Sequence, residues 1–298
     1  MSKLIMLVGV AGSGKSTYAN KYYSDMEILS SDKIREELYG NASVQDNPMK
    51  VFNILHHRIA TALKNGKDVV YDATNLSMKR RMSFLKQYGY FADEKHCIVL
   101  ITPFEECCRR QEERERKVPY EVIKEQICRF QCPDYYEGWD VIEVVQDSTC
   151  TTALEDFLEL NDFDQENSHH SLTAKEHMLA AAMYYKNNYK DNIDAVLLFA
   201  LKHHDIGKFF TKTFKNKKGQ ITIEAHYYGH QNAGAYFMLQ CCKHDIVMPI
   251  HCKAAVLIQW HMEFFLRNEI GMERLFNLLG KELSEQLKLL HEYDERAH

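Results

Sequence analysis

The sequence predicts an α/β domain built on a parallel sheet, followed by a second domain that is all helix. Three observations carry that expectation. Strand-like apolar runs at Leu4–Val8, Glu27–Ser30, Asp68–Asp72, Cys97–Thr102 and Val141–Val145 alternate with helix-like stretches at 14–23, 31–38, 49–64, 77–88, 103–117 and 119–130. Alternation of this kind makes a parallel sheet covered on both faces. From residue 171 the pattern changes, and apolar residues recur at three- and four-residue spacing over Leu172–Tyr189, Ile193–His204, Gly229–Cys242, Met248–Arg267 and Met272–Glu295, with little to suggest a strand. Composition shifts at the same place. Net charge is −1 over residues 1–150, −6 over 151–170 and +2 over 171–298, and 12 of the 15 histidines lie at or after His169. A chain of 298 residues exceeds one core of about 150 residues. The expected division is therefore a first domain at 1–150, an acidic linker at 151–170 marked by Glu155, Asp156, Glu159, Asp162, Asp164 and Glu166, and a second domain at 171–298.

Hydrophobic residues make up 45% of the chain and charged residues 27%, which is ordinary for a globular protein in water. No apolar run approaches the roughly 20 residues a membrane span needs. A single Lys3 precedes an apolar run that leads directly into a glycine-rich loop, unlike a signal peptide. Nine cysteines without a Cys-x-x-Cys pair read as reduced thiols. These features predict a cytoplasmic protein with no membrane partner.

The glycine-rich loop is Gly9-Val10-Ala11-Gly12-Ser13-Gly14-Lys15-Ser16-Thr17, set between the first strand-like run and a stretch able to be helical. Glycines let the backbone curl its N–H groups around phosphate, the helix start adds the positive end of its dipole, Lys15 reaches the β and γ phosphates, and the Ser16 hydroxyl can hold Mg²⁺. Gly9, Gly12, Ser13, Gly14, Lys15, Ser16 and Thr17 are thus expected to bind a nucleoside triphosphate. In a parallel sheet, ligands sit at the carboxyl ends of the strands. After the second strand, Ser31 or Asp32 can cap a helix; alternatively Asp32 accepts the proton of an attacking hydroxyl and Arg35, one turn on, clamps a phosphate. After the third, Asp72 either orders a Mg²⁺ shell or caps a turn. In the charged run 109–117, Arg110 and Arg114 are expected on one helical face, either solvated or closing over the donor phosphates.

Taken together, Gly9 to Thr17, Ser31-Asp32 with Arg35, Asp72-Ala73-Thr74-Asn75, and Arg110, Arg114 and Val118-Pro119 resemble the kinase domain of phage-type polynucleotide 5′-kinases over roughly residues 1–145. The resemblance implies ATP or GTP as donor with Mg²⁺, Asp32 as general base for a 5′-hydroxyl, Arg35 on the acceptor phosphate, and Arg114 on the donor phosphates, with Arg110 and Arg116 as competitors for that role.

In the second half, His203-His204-Asp205-Ile206-Gly207-Lys208 ends an apolar helix, where adjacent His and Asp can turn toward one ion. The segments around His177, His204-Asp205, Gly229-His230, Trp260-His261 and Tyr293-Asp294 resemble, in order, the motifs of HD-domain metal phosphohydrolases over about 170–298. That resemblance implies that His177, His204, Asp205 and Asp294 hold one metal, with His230 and His261 available for a second, drawn from Mn²⁺, Mg²⁺, Fe or Ni. It also implies that Lys208 neutralises the phosphate being cleaved. His203, His226, His244 and His251 are expected to be structural or surface residues. Lys208, Lys212, Lys215, Lys217 and Lys218 form a cluster that is either a solvated loop or a phosphate-steering surface.

Two opposed phosphoryl chemistries in one chain imply processing of nucleic-acid ends, RNA ahead of DNA. Known bifunctional enzymes with this content place the HD module first, whereas here it comes last. No Lys-x-Asp-Gly motif for nucleotidyl transfer is present, so a separate ligase is the expected partner. The alternatives are a small-molecule kinase of the nucleoside type fused to a nucleotide phosphohydrolase, or fused to a regulatory HD domain without catalysis. A sequence pI near 6.3 lacks the basic footprint of most nucleic-acid binders, which keeps those alternatives open.

Overall fold

The computed structural model describes residues 2–114, 116–150, 163–166, 172–190, 192–241 and 248–297. The chain divides into two compact units, one of Met1–Gln126 with Pro133–Cys150 and one of Ile127–Cys132 with Thr151–His298. Residues 127–132 thus group with the second unit although they lie inside the span 1–150. Of the acidic linker only 163–166 is described; 151–162 and 167–170 lie outside the described residues, as does His244.

The first unit is a five-stranded parallel sheet. In chain order it runs β1 (Lys3–Val8), α1 (Lys15–Tyr22), β2 (Glu27–Ser30), α2 (Ser31–Tyr39), α3 (Pro48–Lys64), β3 (Val69–Asp72), α4 (Met78–Tyr88), β4 (Glu94–Ile101), α5 (Phe104–Glu112), α6 (Tyr120–Cys128) and β5 (Val141–Gln146). The sheet order is β2-β3-β1-β4-β5. β1 lies at the centre, with Met6 opposite Tyr71 on one side and Cys97 on the other. Central strands covered on both faces must be apolar throughout, and Leu4 to Val8 are all buried. Ile5, Leu7, Val70, Ile98 and Leu100 form one core cluster with Ala19 of α1. α3 starts on an Asn47 cap with Pro48 at its first turn and buries Val51, Leu55, Ile59 and Leu63, one residue per turn. The chain passes outward from β1 to β2, returns through β3, and then crosses to β4. The carboxyl ends of β1 and β3 therefore meet, and the Gly9 amide donates to the Thr74 carbonyl at 3.0 Å.

The described second unit is mostly helical: α7 (Ala174–Asn188), α8 (Ala195–His203), α9 (Lys208–Thr211), α10 (His230–Gln240), α11 (Met248–Trp260), α12 (Glu263–Leu266) and α13 (Glu269–Glu295). Thr173 and Glu176 make a capping box at α7, and Asp194 caps α8. Two features depart from the expected all-helical pattern. β6 (Thr213–Lys215) and β7 (Ile221–His226) form an antiparallel hairpin. Its turn is closed by the Asn216 amide on the Gln220 carbonyl and by Gly219 at φ 80°, a left-handed position that favours glycine. α13 is broken at Gly280 (φ 76°, ψ 177°), so the run read as one helix is two. Among the described residues, no helix is long and apolar enough to cross a membrane.

Candidate active sites

In the first unit, Gly12 (φ 87°) and Gly14 (φ 86°) turn the backbone left-handed between β1 and α1. A Cβ at Gly9 would lie 2.8 Å from the Leu100 carbonyl oxygen, and one at Gly12 would lie 2.6 Å from that of Cys107, so no side chain fits at either. Lys15 folds back over this loop, its ammonium donating to the Val10 carbonyl at 2.7 Å. Burial pulls the Lys15 pKa down, against the opposing pull of the Asp72 carboxylate. The Ser16 hydroxyl donates to Asp72 Oδ2 at 2.7 Å, which joins the loop to the end of β3.

Helix α2 is capped neither by Ser31 nor by Asp32. Ser30 Oγ accepts the Asp32 amide at 3.2 Å and takes that role, which leaves the Asp32 carboxylate free of the backbone. Asp32 is more than half exposed; Arg35 reaches its Oδ1 at 2.9 Å and Arg116 its Oδ2 at 3.0 Å. Arg35 itself is buried, and its Nε has no hydrogen-bond partner among the described residues. The expectation that Arg110 and Arg114 share a helical face does not hold. α5 ends at Glu112, because Gln111 Oε1 accepts the Val118 amide and folds the chain back before Pro119, and Arg114 lies in the turn beyond. Arg110 is held by Glu106 at 2.7 Å, Asp147 at 2.5 Å and the Gly12 carbonyl at 3.3 Å.

A cleft of about 580 Å³ brings Lys15, Ser16, Asp32, Arg35, Asp72, Arg114 and Arg116 together. A second cavity of about 590 Å³ is lined by Ser13, Thr17, Arg110 and Asp147, and Gly12, Gly14 and Arg114 border both. The phosphate loop therefore has room on either side, as a donor and an acceptor require. The sequence offers Arg116 only as a competitor of Arg114 for the donor phosphates; a run of alternating charge gives no sign of which arginine faces the Asp32 carboxylate.

In the second unit, six buried side chains converge. His177 of α7, His204 and Asp205 after α8, His230 of α10, His261 after α11 and Asp294 of α13 are all at most 5% exposed. Two sets of three suit a metal ion by donor type and spacing: His177, His204 and Asp294, and Asp205, His230 and His261. Asp205 lies between them, with Oδ2 3.7 Å from both His177 and His204 and Oδ1 3.3 Å from His230. Glycine makes this closeness attainable, since a Cβ at Gly207 would lie 2.0 Å from the His230 carbonyl oxygen.

The ring orientations bear on what the cluster can bind. His204, His230 and His261 each put Nδ1 on the carbonyl three residues upstream, of Leu201, Tyr227 and Ile258, at 3.0, 2.8 and 2.6 Å, and His177 puts Nδ1 on the Ala297 carbonyl at 3.4 Å. A carbonyl only accepts, so each Nδ1 carries the proton and each Nε2 presents a lone pair. These Nε2 atoms face one another at 3.1 Å (His177 and His204) and 3.2 Å (His230 and His261). Paired lone pairs at such distances call for a cation, and the nitrogen and carboxylate donors suit a divalent transition metal. With no cation in the cluster, the Asp294 and Asp205 carboxylates favour a proton there instead and, against burial, raise the His204 pKa to about 9, so a proton and a metal ion compete for the same Nε2. Against burial, Lys208 and His204 hold the Asp205 carboxyl well below the usual range. Lys208 Nζ lies 2.7 Å from Asp205 Oδ2 and 2.7 Å from Gln165 Oε1. Gln165, 1% exposed, was not singled out from the sequence.

Residues 4–133 match a family described as an AAA domain. The L-seryl-tRNA(Sec) kinase of Methanococcus maripaludis is 28% identical over 170 residues, which are 53% of this chain and 66% of that relative. Among solved structures, a chain of the Pnkp1/Rnl/Hen1 RNA repair complex aligns at 23% identity and a TM-score of 0.41, covering 51% of each chain. A putative kinase from Chloroflexus aurantiacus aligns at 16% identity and a TM-score of 0.40, covering 50% of this chain and 86% of the other. Fold, loop geometry and family match together give a P-loop kinase-like α/β fold with a five-stranded parallel sheet, followed by a helical region.

Proposed function

We propose that this chain heals broken nucleic-acid ends, phosphorylating a 5′-hydroxyl in its first unit and hydrolysing a 2′,3′-cyclic phosphate or 3′-phosphate in its second. The observation that carries the reading is the presence of two side-chain clusters, each suited to phosphate chemistry. One cleft gathers Lys15, Ser16, Asp72, Asp32 and Arg35, and a separate unit gathers four histidines and two aspartates with Lys208 beside them. In the first unit, Asp32 takes the proton of the acceptor hydroxyl as its oxygen attacks the γ-phosphorus, and the nucleoside diphosphate leaves. Lys15 and Arg114 neutralise the donor phosphates. The buried Arg35, with Nε open, grips the acceptor's phosphate. Ser16 and Asp72 would hold Mg²⁺, which supplies charge neutralisation at the β and γ oxygens. In the second unit, His177, His204 and Asp294 would hold one divalent ion and His230 and His261 a second, with Asp205 shared between the two sets, supplying activation of water and of the phosphorus centre. Lys208 neutralises the phosphate oxygens, and the Nδ1 anchors keep the rings aimed.

The test is one panel: labelled nucleoside triphosphate with 5′-hydroxyl oligonucleotides and free nucleosides, then cyclic-phosphate ends with Mn²⁺ or Ni²⁺. Asp32→Asn is expected to lower transfer by roughly 10²- to 10⁴-fold with nucleotide binding retained. Asp205→Ala is expected to abolish hydrolysis and spare transfer. Transfer to nucleosides but not to oligonucleotides overturns the first half; an unchanged cyclic end overturns the second. The relative named for seryl-tRNA favours one further acceptor, a hydroxyl carried on aminoacyl-tRNA, which belongs in the same panel.

A further inference from the structure

The hairpin of β6 and β7 is inserted within the histidine–aspartate unit itself. It leaves α9, which carries Lys208, and its second strand returns through Tyr227 and Tyr228 to His230. Its lysines Lys215, Lys217 and Lys218 are exposed and make no ion pair among the described residues, whereas Lys212 at its base is held by Glu166. Glu224 is the one carboxylate on the hairpin. Aromatic groups stand beside these cations: the His226 and Tyr228 rings stack at 5.3 Å and 14°, and Lys217 lies over the Tyr228 ring at 5.5 Å. Tyr228 and Phe214 are each more than a third exposed. Unpaired cations interleaved with exposed rings match a sugar-phosphate backbone and its bases, the first by charge and the second by stacking.

We infer that this hairpin is an arm that binds single-stranded polynucleotide and delivers its end to the histidine–aspartate cluster. The inference rests on the proposed hydrolysis by the second unit and names its substrate class: a polymer end rather than a mononucleotide. Exposed Ile221 and Ile223 offer a different occupant, an apolar protein surface, and the test separates the two.

The experiment uses the full chain and a fluorescent 12-nucleotide single strand ending in a 2′,3′-cyclic phosphate, followed by anisotropy across a salt series. Any contribution from the first unit is common to wild type and variant, so the difference reads the arm. In the triple variant Lys215→Gln, Lys217→Gln, Lys218→Gln, the salt slope is expected to shrink by about 2 and low-salt affinity to fall on the order of tenfold, from three lost phosphate contacts. Hydrolysis of the oligonucleotide is expected to lose a similar factor in kcat/KM, while hydrolysis of a nucleoside 2′,3′-cyclic monophosphate is unchanged. Equal affinity and slope in both proteins overturn the inference. So does binding that survives the lysine changes and is lost in Ile221→Thr with Ile223→Thr. If neither protein hydrolyses either substrate, the end-healing reading of this unit fails, and the binding comparison still decides the arm.

Discussion

Replacing Arg81 by Met tests how the phosphate loop is braced from behind. The Arg81 and Glu137 side chains are both 0% exposed and joined by two hydrogen bonds, of 2.5 and 2.8 Å. The Glu137 carboxylate also accepts Trp139 Nε1 at 3.1 Å, and Arg81 donates to the Asn75 and Leu76 carbonyls at 2.9 and 3.0 Å. Asn75 in turn donates to the Leu7 carbonyl at 2.8 Å, one residue before the end of β1. Removing the guanidinium strands a buried carboxylate with a single indole donor, at a cost of about 3–5 kcal/mol. Removing both charges, with Glu137→Leu, leaves the two carbonyls short of a donor and the Trp139 indole N–H short of an acceptor, about 1 kcal/mol each. Glu137→Leu alone strands the buried guanidinium at a similar cost, so urea unfolding of the two single variants and the double should give a coupling energy of roughly 3–7 kcal/mol. Nucleotide affinity should weaken in Arg81→Met as the strand-end loop loosens. Additive losses in the cycle, or a Met variant as stable as the wild type, would refute the reasoning.

Two further predictions follow from the same geometry. Gly207→Ala forces a methyl to within 2.0 Å of the His230 carbonyl oxygen and 2.6 Å of the Gly234 amide, both backbone atoms. The second unit should lose at least about 2 kcal/mol and its metal affinity should fall, read by thermal unfolding with and without Mn²⁺; an unchanged midpoint in both conditions would contradict the packing argument. His56, packed against Phe84 and Tyr88 and bonded to the Tyr71 hydroxyl at 2.9 Å, has its pKa pushed down to about 4 by burial. It stays neutral in the folded state while the unfolded chain takes up a proton below about pH 6.5, so stability is lost as pH falls from 6.5 toward 4, on the order of 1–2 kcal/mol after allowance for partial exposure. His56→Phe should show a shallower acid limb in urea unfolding at pH 4 to 7, and parallel limbs for the two proteins would count against it.

What could be read from the sequence divides along a physical line. Strands buried on both faces are continuous apolar runs, and the phosphate loop is contiguous, so the parallel sheet and the residues from Gly9 to Thr17 were visible before any coordinates. The six residues of the second unit were visible as separate motifs. Their arrangement into two triads about Asp205 was not, since it depends on Gly207 meeting α10 and on backbone carbonyls that have no side-chain signature. The hairpin escaped notice for the opposite reason. β6 is three residues long, and both isoleucines of β7 face outward, so neither strand has the half-buried alternation by which a strand is recognised. Arg114 was misplaced because Arg-x-x-x-Arg reads the same whether or not the helix continues; the Gln111 side chain and Pro119 decide, and only the first of these acts through a contact seven residues away. Arg81 and Glu137, 56 residues apart, left no trace at all. Each failure occurs where a polar side chain chooses between solvent and a distant partner. The same choice governs function, because Asp32 stands in the open where Arg116 reaches it, while Asp205 is sealed among four imidazoles. A carboxylate that must take a proton from an incoming hydroxyl needs that exposure, and one that suits a metal needs that enclosure.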